Sequence, residues 1–466
     1  MINKKHILII GAGPAGMACA LKLYQAEKSF IVIEKDKQVG GLAKTYEFGE
    51  FKTDNGPHRF FSQNPELYDF IRNLLGRQWI KVNRSTRFYV KNKFYKYPIE
   101  LKDVILKINV FQALKMLRDY FLAKILFFRK KPKNFEEHII DLFGKSLAEF
   151  NILKFSAKIW GLPCTELSAD WATQRIKGLT IKNILKYMIF KKDGPKTLVQ
   201  QFYYPETGTG LIYEKIKAKI ENKNQILLKT QPIKIFHNHN KIQKVILSNN
   251  TSYNPSYLIS SMPITALVKL FQPLPPNHTL EAVQNLKYRS QVYLFLTINK
   301  ELVSKDQWIY FPDKEIPFAR ISEMKNFSLK MSPKYKTSLF IEFFCDYGDK
   351  IWNSSKQELT GITIKWLEKL SFVKKNEILN VFHFKQKNAY PVYDLNYKDH
   401  LNIIKKYLNQ FQNLIYIGRS GRFKYTNQDH SLEMGILAAK SIIQNKKYDI
   451  EKIGNEQKYL ESGQIN

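Results

Sequence analysis

A chain of 466 residues, 44% apolar and 14% aromatic, has the length for a large core and roughly three domain-sized units, and its composition excludes a disordered protein. Its net charge of +33 comes from lysines scattered through all regions and reads as a solvated basic surface; the alternative is attraction to a membrane face, a nucleotide-sugar or a lipid pyrophosphate, and no nucleic-acid motif accompanies it. Three cysteines, Cys19, Cys164 and Cys345, lie far apart and outside any CxxC pattern, which argues against a disulfide framework and a metal site and for a reducing cytosol.

The beginning of the chain organises the rest. His6 to Ile10 is apolar apart from His6, as in a strand buried on both faces of a parallel sheet. Gly11, Gly13 and Gly16 follow in GxGxxG spacing: the first for a tight turn, the second for close approach to a pyrophosphate, the third for helix-on-strand packing. A helix from about Pro14 to Glu27 aims its N-terminal amides at the phosphates. The strand Phe30 to Ile33 then ends in Glu34, whose carboxylate suits a ribose diol. Gly40-Gly41 adds a second site of backbone approach, and Thr45 to Phe51 reads as a hairpin. In Asp54-Asn55-Gly56-Pro57-His58-Arg59, a Gly-Pro turn sets His58 beside the glycine loop or, equally, buries it as a structural histidine.

From Tyr68 to Gly144 the pattern is mostly helical, with a β-like piece at Thr86 to Tyr97. Within Leu101 to Lys133 the residues Leu106, Val110, Leu114, Leu117, Phe121, Ile125 and Phe128 recur at helical spacing, with lysines and arginines on other faces. The expectation is a helical subdomain packing this stripe on its neighbour; the alternative is a membrane-surface helix or a lid over a lipid-linked substrate. Trp160-Gly161 and the capping sequence Ser168-Ala169-Asp170 mark one helix stopping and another starting. A glycine-bearing loop at Tyr203 to Gly210 precedes a helix, then strands alternate to Ser260. Beyond Pro276 a second sheet is expected, with Gln291 to Ile298 and Thr337 to Phe344 its clearest strands. Arg320 between them is placed to grip a phosphate or carboxylate, or to pair with Glu323 or Glu342. Ile415 to Arg419 is a strand entering a loop, with Asp429 before an apolar helix from Leu432 to Ile443.

Together the two glycine sites and this late strand, loop and helix resemble the FAD-binding superfamily of flavin-containing amine oxidases, protoporphyrinogen oxidases and UDP-galactopyranose mutases, over Ile7 to about Ile443. The resemblance implies an α/β fold. A Rossmann-like FAD-binding domain would be assembled from 1–85, 200–275 and 412–450. It would be interrupted by a mainly helical subdomain at 86–199 and a mixed or antiparallel β-sheet substrate domain at 276–411, before a polar tail at 451–466. FAD would be held by Gly11, Gly13, Gly16, Glu34, Gly40, Gly41, Gly418, Arg419 and Asp429, with the adenine near Pro232 and His58 against the flavin. Segments similar to those of the mutases surround Trp160, Arg320, Tyr390 and Tyr425, which the resemblance implies face the substrate; Phe155 and Leu179 depart from the mutase pattern, which has a tyrosine and an arginine there.

Two uses of a flavin follow. In the preferred one the protein is an oxidoreductase: substrate hydride passes to flavin N5, with His58 and Arg320 as candidate catalytic groups. In the alternative, a mutase-like isomerase, reduced FAD N5 attacks a nucleotide-linked sugar with no net redox. Either would serve cell-envelope polysaccharide synthesis on a nucleotide-sugar or lipid-linked glycan precursor. A flavin-containing binding protein at a membrane surface explains least of the sequence. A cytoplasmic location is expected, with peripheral attachment to the inner membrane face as an extension, because no run reaches 18 apolar residues and no signal peptide is read.

Overall fold

The computed structural model describes residues 6–62, 64–97, 103, 107–126, 131–175 and 201–454. A five-stranded sheet lies at the centre, in the order Leu414–Tyr416, Tyr257–Ser260, Ile7–Ile10, Phe30–Ile33 and Gln225–Leu227, and every pairing is parallel. Its strands come from three distant parts of the chain. Alternation along Ile7–Ile10 explains the unbroken apolar run: Ile7 and Ile9 enter one core, Leu8 and Ile10 another. The first core is closed by the helices Pro14–Gln25, Leu211–Ile220 and Gln428–Ile443. The second is closed by the strands Pro232–Asn238 and Lys241–Leu247 and the helices Asn277–Asn285 and Tyr397–Asn409.

Two features lock these layers. A Cβ on Gly435 would lie 2.0 Å from the Ala15 carbonyl oxygen, so the helices Pro14–Gln25 and Gln428–Ile443 cross in backbone contact. The hairpin Thr45–Phe48/Phe51–Asp54 is tied to the loop before Leu211 through the buried Asp54 carboxylate. It accepts hydrogen bonds from the Thr45 hydroxyl at 2.6 Å, the Tyr204 hydroxyl at 2.5 Å and the Thr209 amide at 3.0 Å.

A second, seven-stranded sheet runs in the order Ile378–Pro391, Tyr288–Ile298, Thr337–Cys345, Arg320–Glu323, Trp308–Tyr310, Thr86–Val90 and Lys93–Lys96. All its pairs are antiparallel but one, Trp308–Tyr310 with Thr86–Val90. The hairpin at 86–96, placed with the helical subdomain from sequence, is hydrogen-bonded into this sheet instead, because Thr86–Val90 supplies the edge that Trp308–Tyr310 requires. Among the described residues the helical part includes Val110–Leu126, Phe135–Phe143, the short turns from Lys145 to Ile152, Leu153–Trp160 and Asp170–Arg175.

A second expectation is overturned. The stripe on Val110–Leu126 does not pack on a neighbour: Val110, Phe111, Leu114, Leu117, Phe121, Leu122, Ile125 and Leu126 are all exposed. The neighbouring Phe135–Phe143 unit is reached by the opposite side, where Asp119 and Ala123 are buried and a Cβ on Gly144 would lie 2.5 Å from the Tyr120 nitrogen. Leu106 and Phe128 fall outside the described residues. Among the described residues no helix is long and apolar enough to cross a membrane, and all three cysteines are buried and free.

Candidate cofactor and substrate site

Gly11 leaves the first strand at φ +97°, a conformation that favours glycine, and its amide donates to the Ile33 carbonyl at 2.7 Å. A Cβ on Gly16 would lie 1.9 Å from the Gly11 carbonyl oxygen, so helix and turn touch backbone to backbone. Gly13 faces Gly41, where a Cβ would come within 3.0 Å of the Gly13 Cα, and the Gly40 amide donates to the Ala12 carbonyl at 2.8 Å. The two glycine sites thus form one concave backbone surface at the N-terminus of the helix Pro14–Gln25. The Glu34 carboxylate stands beside it, 7% exposed, accepting from the Ala12 amide at 2.8 Å and the Asp36 amide at 2.9 Å. Those bonds orient it and leave lone pairs on both oxygens. The Glu34 carbonyl takes the Thr230 amide at 2.9 Å, which draws the strand beginning at Pro232 alongside. At the other end, a Cβ on Gly418 would lie 3.1 Å from the Ala15 Cβ, bringing the Gly418–Gly421 turn onto the same helix N-terminus. The last helix starts at Gln428, four residues earlier than expected, so Asp429 sits buried in its first turn.

Beyond this cradle the turn at Gly56, φ +108°, carries His58. His58 Nδ1 and Asn55 Oδ1 are buried without a hydrogen-bond partner among the described groups. Burial, with Arg419 and Arg320 nearby, pushes the His58 imidazole down to about 3, so it is neutral at pH 7. Arg320 stands opposite Glu342 across two antiparallel strands and grips it through two bonds, Nε to Oε2 and Nη2 to Oε1, the latter at 2.7 Å. Of the two carboxylates named from sequence, Glu342 is the partner. Glu323 instead accepts from the Val303 and Ser304 amides, both at 2.8 Å. Burial opposes the Arg320 charge, but Glu342 outweighs it and holds the guanidinium well above its ordinary value. Glu342 is 1% exposed and also accepts from Gln291 at 3.1 Å.

Three of the four residues assigned to substrate come together, with Tyr390 near enough to Arg320 and Glu342 to feel both charges. Tyr390 and Tyr425 stack at 5.6 Å and 19°, Trp160 meets them edge-on at 6.2 and 6.0 Å, and the Arg419 guanidinium lies 5.0 and 4.9 Å from the two tyrosine ring centres. The donors of Arg419 go to the Thr426 and Ala389 carbonyls, so this arginine fixes the tyrosine pair. Trp160 is 2% exposed, which makes it a wall behind the tyrosines rather than an open stacking platform. Burial, and then Tyr425, raise the Tyr390 hydroxyl. Trp171, 4.6 Å from Tyr425, and Phe344, 5.6 Å from Tyr390, extend the aromatic wall. Phe155 packs on Tyr310 at 4.9 Å, and Tyr310 lies 5.9 Å below the Arg320 guanidinium. Leu179 and the side chain of Arg175 lie outside the described residues.

Sequence reasoning missed Trp171, Asp54 and Lys158. The Lys158 ammonium donates to the carbonyls of Phe311, Asp313, Ile316 and Phe318 at 2.6 to 3.0 Å and so shapes the turn leading to Arg320. A lysine facing four carbonyls leaves no sequence pattern. Asp54 could have been noticed as an acid at the end of an otherwise inward-facing strand. The paired glycine surfaces, which side chains would fill, and the partnerless buried atoms at 55 and 58 fit an FAD.

The family model for flavin containing amine oxidoreductases matches residues 14–443. A probable UDP-galactopyranose mutase of Klebsiella pneumoniae is 28% identical over 180 residues, 36% of this chain and 44% of that protein, so the match spans less than half the relative's length. Protoporphyrinogen oxidase 2 of Arabidopsis thaliana is 22% identical over 90% of both chains. A solved structure of reduced UDP-galactopyranose mutase superposes with a TM-score of 0.84 at 21% identity, covering 97% of this chain and 99% of the other, which is a likeness of fold.

Proposed function

The chain belongs to the flavin containing amine oxidoreductase family, with FAD as its cofactor, and from that premise we propose that it is an FAD-dependent oxidoreductase acting on a small molecule held between the Arg320–Glu342 pair and the Tyr390–Tyr425 pair. When bound, FAD supplies the acceptor for a substrate hydride. The chain's own part is to bind, orient and exclude water. The observation that carries this reading is the pairing of Arg320 beside His58, with the donors of the other nearby cation, Arg419, turned to the Thr426 and Ala389 carbonyls. Glu342 cancels Arg320, and the imidazole is uncharged at pH 7. Such a site suits a substrate with little negative charge. A diphosphate would need unpaired cations to replace its hydration. Arg320 still has three N–H bonds outside its carboxylate pair, enough to orient a carbonyl or hydroxyl oxygen. Neutral His58 can accept or give one proton in a hydrogen bond without adding charge. The Tyr390 hydroxyl, kept protonated by burial, remains a donor.

A second reading, a UDP-galactopyranose mutase-like isomerase, is favoured by one observation: Trp160, Tyr390 and Tyr425, each drawn from a mutase-like segment, converge on one wall. It requires Arg320 to serve a diphosphate while remaining bound to Glu342. Either reaction could contribute to cell-envelope polysaccharide synthesis.

An anaerobic titration of the purified yellow protein separates them. Bleaching of the oxidised flavin by a metabolite, with UDP-sugars leaving the spectrum unchanged, is the expected outcome. Isomerisation of a UDP-sugar only after dithionite reduction, with the flavin's oxidation state unchanged at the end, would replace the first reading by the second.

A further inference from the structure

The helix Val110–Leu126 presents its apolar half to solvent. Eight large apolar side chains are exposed on it, Phe111 by 81%, Ile125 by 75% and Val110 by 71%, and at about 100° per residue all eight fall within one half of the circumference. A single exposed leucine means little, whereas a contiguous patch of this kind marks an interaction surface. The helix is nevertheless firmly mounted. On its inner side Asp119 accepts from the Ser146 hydroxyl and from Arg118 Nη2 at 2.9 Å, Lys124 pairs with Asp141 at 3.0 Å, and Gly144 lets the backbones touch.

The charges on this helix are segregated in the same sense. Asp119, its acid, is turned inward and buried, whereas Lys115 and Arg118 are exposed at or within the apolar half, and the exposed Lys131 and Lys133 follow the helix. Arg118 is paired with Asp119, but a second copy docked on this face would still bring Lys115 toward its own counterpart and two chains of +33 together. A surface that is apolar below and anionic above satisfies both the side chains and the cations. We propose that this face docks the protein on an anionic lipid bilayer, with the helix lying in the plane of the headgroups and its inner side toward the protein.

The test uses the full-length, FAD-loaded protein and vesicles of phosphatidylcholine with or without phosphatidylglycerol, read by flotation. Partitioning should be about tenfold stronger with phosphatidylglycerol and should fall by at least about tenfold in Leu114→Glu/Phe121→Glu/Ile125→Glu, whose exposed positions leave flavin content and melting temperature unchanged. Absence of vesicle binding overturns the proposal. Undiminished binding by the triple variant does so too, as does a lipid-free dimer that the triple variant abolishes while the wild type ignores vesicles. Because the native cysteines are buried, Leu114→Cys gives an independent readout: a polar maleimide should label it in buffer and fail to label it on phosphatidylglycerol vesicles. No labelling in buffer would show that the face is covered by the protein itself and would equally overturn the proposal.

Discussion

Glycines 13 and 16 look alike in sequence and differ in what surrounds them. The nearest atom to a Cβ on Gly13 is 3.8 Å away, and its φ of −76° is open to any residue, so Gly13→Ala should fold normally. Gly13→Asp should fold but emerge colourless, because in the proposed placement of FAD its charge would face the pyrophosphate; a yellow Gly13→Asp protein would refute that placement. Gly16→Ala, 1.9 Å from a carbonyl oxygen, should fail to fold stably. His58 adds a pH dependence. The unfolded imidazole takes up a proton below its ordinary 6.5, whereas the folded one resists until about 3, so stability falls as pH falls through this window. Between pH 7 and 5 the cost is about 2 kcal/mol at most, and His58→Gln should remove it, which denaturant unfolding at the two pH values will measure. Arg320→Ala strands the buried Glu342 charge and should cost about 3–5 kcal/mol. Arg320→Met/Glu342→Leu should recover most of that loss; equal melting temperatures for the single and double variants would contradict the pairing.

At the scale of elements, the turn between Trp308–Tyr310 and Arg320–Glu323 owes its shape to a side chain from another element, Lys158 on Leu153–Trp160. Lys158→Met should cost about 1–3 kcal/mol through its abandoned carbonyls and should raise KM with little change in kcat, because the loosened turn carries Arg320. An unaltered KM would separate the turn from substrate binding. Gly435 belongs to the same scale: a helix interior offers no sequence sign that one glycine marks the crossing with Pro14–Gln25, where a Cβ would lie 2.0 Å from the Ala15 carbonyl oxygen. The amphipathic helix shows the opposite limit. Its apolar stripe was legible from spacing at Val110, Leu114, Leu117, Phe121 and Ile125, but periodicity reports that a face is apolar and says nothing of what meets it.

For the molecule as a whole, the central sheet draws its strands from 7–33, 225–227, 257–260 and 414–416, so no continuous piece of chain forms the proposed cofactor cradle alone. Loss of flavin and loss of far-ultraviolet circular dichroism should therefore coincide on heating, and two separated transitions would contradict a cofactor domain assembled in this way. What the sequence determined by itself was local: a strand buried on both faces, the turn glycines, the acid at the next strand's end and the hairpin that follows. Each depends on neighbours a few residues away, where φ, ψ and alternation settle the outcome. What only the tertiary structure decided was long-range. It chose Glu342 over Glu323 as the partner of Arg320, gathered Trp160, Tyr390 and Tyr425 on one wall, gave the hairpin at 86–96 to the second sheet and left the Val110–Leu126 stripe bare. Those outcomes depend on which surfaces meet after the chain has closed loops of tens to hundreds of residues, and no spacing rule along the sequence carries that distance.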